Sequence, residues 1–142
     1  MSGYLVKGPA LVFVALLAAA PAWAQAGGGR ASYMIGTWFG RGQPDDASSM
    51  YIDRMAPGGN WRGEYRTCLR GKHVDQVQTG RWTLKGDQLL LHVETVDGLR
   101  APRDDAYRML AHDARSQKYI ALPSGFAYTP RRVDDGYAMP SC

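Results

Sequence analysis

The sequence predicts an all-β protein, an antiparallel up-and-down barrel of about eight strands. Three observations carry that prediction. Between Gly80 and Val96, two runs rich in Trp, Leu, Val and Thr flank a Lys-Gly-Asp turn, the pattern of a β-hairpin. Pairing Leu84 with Leu89 sets Trp82 opposite Leu91 and Gly80 opposite Val93, so one face is apolar throughout. Rougher versions of this unit recur along the chain, and no segment after residue 24 has helical periodicity. Tight turns join most of these units, which favours a meander over a sandwich with long crossovers. Closing the meander removes its exposed edges.

Residues 1–24 read as a cleaved secretory leader. Lys7 and the amino terminus supply positive charge, Ala10 to Ala20 form an apolar run, and Ala22-Trp23-Ala24 offers the small residues of a cleavage site. As a helix that run would span about 16 Å, roughly half a bilayer core, so no permanent membrane span is expected. No Cys follows the expected cut, and the mature protein is expected to be periplasmic or secreted.

Residues 25–32 form a Gly-rich lead-in, and order is expected from Tyr33. Residues 33–133 make one barrel domain, and 134–142 a C-terminal tail. Strands are predicted over Met34–Gly40, Ser48–Ala56, Trp61–Leu69, Val74–Leu84, Gln88–Val96, Ala106–His112, Lys118–Leu122 and Phe126–Val133. Pro57-Gly58-Gly59-Asn60, Gly71-Lys72 and Pro123-Ser124-Gly125 are turns. Asp97 to Asp105, with Gly98 and Pro102 among charges, reads as the longest internal loop and the natural place for a mouth or lid. Pro130 confines the last strand to an edge or a strand end.

The chain carries a net charge of +4 with its charges interspersed, and it lacks the basic stripe of a nucleic-acid binder. Two cysteines, Cys68 and Cys142, form an even pair that suggests a disulfide in an oxidising compartment, the alternative being two free or intermolecular thiols. Alternation puts Cys68 on the charged face with Arg62, Glu64 and Arg66, where a chain terminus wrapped over the sheet could reach it.

No nucleophile elbow, zinc-binding His-Glu-x-x-His, phosphate loop or Cys-x-x-Cys is present, so neither enzymatic activity nor a metal or other cofactor is expected. His73, His92 and His112 occur singly, and the last two fall on solvent-facing positions. The pairing of the second and third strands is ambiguous by one residue, so either Asp53 or Arg54 points inward. A buried Asp53 would need a partner or a ligand. Trp38, Trp61 and Trp82 fit an inward face together with Tyr51, Tyr65, Tyr107 and Tyr119. Such a lining suits a flat or amphipathic molecule better than a plain fatty acid. The candidate ligand-binding set is therefore Tyr51, Asp53, Arg54, Tyr65, Tyr107 and Tyr119.

Gly36-Thr37-Trp38 on the first strand, with Arg131 or Arg132 on the last, resembles the Gly-x-Trp signature and late-strand Arg of the lipocalin-like, or calycin, barrels. In that resemblance the Arg packs over the Trp, and an outward Cys68 bonded to Cys142 matches a frequent tail disulfide. It implies an exported binding protein for a small, partly apolar ligand. Small exported barrels of the protease-inhibitor type share the Trp-bearing first strand and a disulfide, and that resemblance implies the alternative, a module that docks on an envelope protein.

Overall fold

The computed structural model describes residues 31–142, so the expected leader and most of the lead-in lie outside the described residues. A 3-10 turn at Ser32–Met34 is followed by nine strands: β1 Gly36–Gln43, β2 Asp46–Met55, β3 Asn60–Leu69, β4 Lys72–Lys85, β5 Gln88–Val96, β6 Leu99–His112, β7 Gln117–Leu122, β8 Ala127–Tyr128 and β9 Arg131–Val133. They form one curled antiparallel sheet in the order β8-β7-β6-β5-β4-β3-β2-β1-β9, an up-and-down barrel. The chain is ordered slightly earlier than expected, since Ala31 is already buried. No helix among the described residues is long and apolar enough to cross a membrane.

The hairpin β4–β5 has the predicted register, with Leu84 opposite Leu89, Trp82 opposite Leu91 and Gly80 opposite Val93. The predicted eighth strand is instead two short pieces, separated at Thr129-Pro130. β8 pairs with β7 and β9 pairs with β1. Pro130 has no N–H to donate, but its carbonyl accepts from the Gln117 amide at 3.0 Å. The Arg132 amide donates to the Arg115 carbonyl at 2.7 Å, and Ser116 bridges to Arg131. One segment thus joins both edges of the sheet.

The expected loop at Asp97–Asp105 is absent. Asp97 and Gly98 form a two-residue turn, both at positive φ (51° and 79°), as a type I′ hairpin requires. The Asp97 carboxylate accepts from the Val77 amide at 2.8 Å, and its own amide donates back to Val77 at 2.7 Å. β6 is therefore fourteen residues long and runs through Pro102. That is possible because the β5–β6 register skips at this point, and β7 pairs only with Ala106–His112. No neighbour needs the N–H that Pro102 lacks.

The barrel interior is packed at one end by Met34, Trp38, Met55, Trp61, Trp82 and Val93. Each core indole N–H is used: Trp38 donates to the Met34 carbonyl at 2.8 Å, Trp61 to Asp53 at 2.9 Å and Trp82 to the Ala56 carbonyl at 3.0 Å. The Arg132 guanidinium lies 4.3 Å from the Trp38 ring and donates to the carbonyls of Tyr33, Ile35 and Ala114. Gly36 makes this possible: at φ 134° it adopts a conformation hostile to side chains, and a Cβ there would collide with the Arg132 guanidinium. Arg131 lies on the outer side, over Phe39 and Tyr137.

A second, smaller core lies outside the barrel. Phe39, Met50 and Ile52 are buried there beneath Val133, Tyr137 and Met139 of the chain end. Cys68 and Cys142 are disulfide-bonded across a sequence separation of 74 residues and fasten this strap over the sheet.

Candidate functional site

In an up-and-down barrel, alternate turns gather at the same end. The 3-10 turn closes one end, and the other end, next to the β1–β2, β3–β4, β5–β6 and β7–β8 turns, holds a cavity of about 330 Å³. Its volume is at the small end of ligand sites, which run from about 300 to 1,000 Å³. Three rim residues, Leu69, Val74 and Leu99, are 67%, 71% and 75% exposed.

The floor is set by β2. Its register against β3 pairs Asp53 with Gly63 and Arg54 with Arg62, which turns Tyr51, Asp53 and Met55 inward. The inward Gly40 and Gly63 lack side chains where the rings of Tyr51 and Tyr65 lie, so both rings sit against backbone. Tyr107 from β6, Tyr119 from β7 and Tyr128 from β8 complete a five-tyrosine wall. Its rings pack edge-on or stacked: Tyr107 lies 5.5 Å from Tyr119 and 6.0 Å from Tyr128, and Tyr51 lies 5.7 Å from Tyr128. The Tyr119 hydroxyl reaches the Tyr51 hydroxyl at 3.5 Å, and the Tyr128 hydroxyl donates to Gln43 at 3.0 Å.

Beside the tyrosines the lining is polar. Arg103 donates to Gln78 at 2.7 Å and pairs with Asp105 at 3.2 Å, while Gln78 donates to Gln76 at 2.7 Å. Asp53, only 6% exposed, accepts one hydrogen bond among the described residues, from Trp61. Burial pushes its carboxyl up to about 6, and the Trp61 bond offsets only part of that. Burial likewise drives the hydroxyls of Tyr51, Tyr65, Tyr107 and Tyr119 well above their ordinary range. The negative charge of Asp53 reinforces this in all four.

Of the residues expected to contact a ligand, Tyr51, Asp53, Tyr65, Tyr107 and Tyr119 meet in this cavity. Arg54 does not. The register turns it outward, where it donates to the carbonyls of Asp135 and Tyr137 and pairs with Glu64 at 3.3 Å, so it holds the tail. Reading 97–105 as a loop concealed Arg103 and Asp105. Alternation along β6 back from Met109 and Tyr107 would have placed both inward. Gln76 and Gln78 continue the inward face of the hairpin containing Gly80 and Trp82, and were legible in the same way. Tyr128 lies within the predicted strand Phe126–Val133, and alternation from Phe126 would have placed it inward as well. His73, His92 and His112 lie exposed and apart: His73 is 3.7 Å from Asp75, His92 2.6 Å from Asp104, and His112 stacks on Tyr33 at 3.5 Å.

The fold and site define a class: an up-and-down β-barrel, closed at one end, whose other end holds a tyrosine-lined cavity with a buried carboxyl. No protein-family model matches the sequence, and no curated protein matches it.

Proposed function

We propose that the protein is an exported, lipocalin-like binding protein for a small, partly apolar ligand held at the open end of its barrel. The observation that carries this reading is the unfilled, tyrosine-lined cavity with Asp53 buried at its floor. A barrel kept only as scaffold gains stability by filling its interior with side chains, and a buried carboxyl works against that gain. Five tyrosine rings offer contact area to an apolar body, while Gln76, Gln78 and the hydroxyls offer orientation. The placing of Arg132 over Trp38 beside Gly36 supports the lipocalin-like reading. Export rests on the leader-like residues 1–24 and on the Cys68–Cys142 bond, which persists in oxidising compartments.

The test is native mass spectrometry of protein recovered from the compartment to which it is exported, followed by denaturation and analysis of what is released. A co-purifying small molecule is expected. A clean ligand-free mass accompanied by a captured envelope protein would replace this reading with that of an interaction or inhibitor-like module.

A further inference from the structure

Resting on the reading of the cavity as a ligand site, we propose that the ligand is an organic cation, a protonated amine on a compact apolar or aromatic body, with its ammonium group lodged on Asp53. Two independent features converge on this. The first is the state of the carboxylate. It can accept about four hydrogen bonds, yet among the described residues only Trp61 donates, and to Oδ1. Oδ2 is left without a donor among those residues, at the wall of the cavity. A buried carboxylate so poorly satisfied is costly unless a cation arrives to meet it.

The second feature is the charge of the lining. Asp53 and Asp105 are its carboxylates and Arg103 is its cation. Arg103 is engaged by Asp105 and Gln78, and Arg54 faces away into the tail. The charge left over is negative and lies at the floor. A carboxylate ligand such as a fatty acid would meet an uncompensated like charge there, which excludes it. The five tyrosines that line the cavity also offer aromatic rings, whose faces attract a cation within about 6 Å. Tyr65, Tyr107 and Tyr128 lie in the field of both Asp53 and Asp105. At about 330 Å³ the cavity holds roughly ten water-sized groups, enough for an arylalkylamine and too few for a long-chain lipid.

Binding of an ammonium requires Asp53 to be ionised, so affinity falls as pH drops through about 6. The titratable and charged groups that share the cavity lining with Asp53 are the hydroxyls of Tyr51, Tyr65, Tyr107, Tyr119 and Tyr128 and the Arg103–Asp105 pair.

The experiment compares three probes of the same size by calorimetry on the full mature chain: 2-phenylethylamine, 2-phenylethanol and phenylacetate, at about pH 8 and about pH 5. The amine is expected to bind about tenfold or more tighter than the alcohol at the higher pH, the return of one charge-assisted hydrogen bond, with the carboxylate weakest. Its advantage is expected to shrink about tenfold at the lower pH. Asp53→Asn is expected to bring the amine down to the level of the alcohol. Should that variant misfold, the pH series on the unaltered protein tests the same point. Equal binding of amine and alcohol, or tightest binding of the carboxylate, overturns the cation assignment while leaving the cavity a ligand site. No binding by any of the three at millimolar concentration overturns both.

Discussion

Among the described residues Asp53 accepts a single hydrogen bond, from Trp61, and burial raises its carboxyl from 3.8 to about 6. The folded state therefore holds the proton more tightly than the unfolded chain. The stability linked to this group is present in full below about pH 4 and lost as pH rises through about 6, a span of roughly 3 kcal/mol. Asp53→Asn, of the same shape, should raise the unfolding free energy at about pH 8 by up to that amount and converge on the unaltered protein near about pH 4. Urea titration at the two pH values checks this, and a variant less stable at the higher pH would refute it. The adjacent arginines on β9 offer a second contrast. Arg132 serves three backbone carbonyls and covers Trp38, whereas Arg131 lies exposed over Phe39 and Tyr137. Arg132→Ala should cost about 3 kcal/mol and Arg131→Ala about 1, measured by the same titration.

Among the elements, the hairpin β4–β5 was readable outright, since its turn, alternation and aromatic content all pointed one way. β6 was not. Gly98, Pro102 and a run of charges argued for a loop, although Asp97-Gly98 is a two-residue turn of the kind hairpins use. Which argument wins depends on whether a neighbouring strand needs the Pro102 amide, and the sequence holds no record of that. The tail is the other element whose role emerged only on folding. Its strap covers Phe39, Met50 and Ile52, held by the disulfide and by Arg54 and Arg66, which donate to the carbonyls of Tyr137 and Pro140 at 2.9 Å. Reduction, or Cys142→Ser, should lower stability by roughly 4 kcal/mol, the chain-entropy value for so long a loop. Chemical unfolding with and without reductant checks the size of the loss. Arg54→Ala should speed amide exchange over residues 135–140 while leaving ligand affinity unchanged, which hydrogen exchange and calorimetry together read.

For the whole molecule, opposing groups set the pH range. The carboxyl of Asp75 is lowered by Arg66, that of Asp113 by the amides of Arg115 and Ser116, and that of Asp46 by Ser48. Their contributions are present above the unfolded carboxylate value and lost below it, whereas that of Asp53 is lost as pH rises through about 6. Stability should therefore peak between about pH 4 and 6, as a thermal-melting series across pH would show, and a saturating ligand that meets Asp53 should move the maximum upward. By itself the sequence determined the all-β class, the up-and-down order, the hairpin register and most of the inward tyrosines. Those follow from two-residue alternation and turn chemistry, which are local. Tertiary structure decided whether Asp53 or Arg54 faces the interior, whether 97–105 is strand or loop, and how Pro130 splits the closing segment between β7 and β1. Each of these depends on which backbone groups a distant strand brings alongside, and side-chain periodicity carries no information about that.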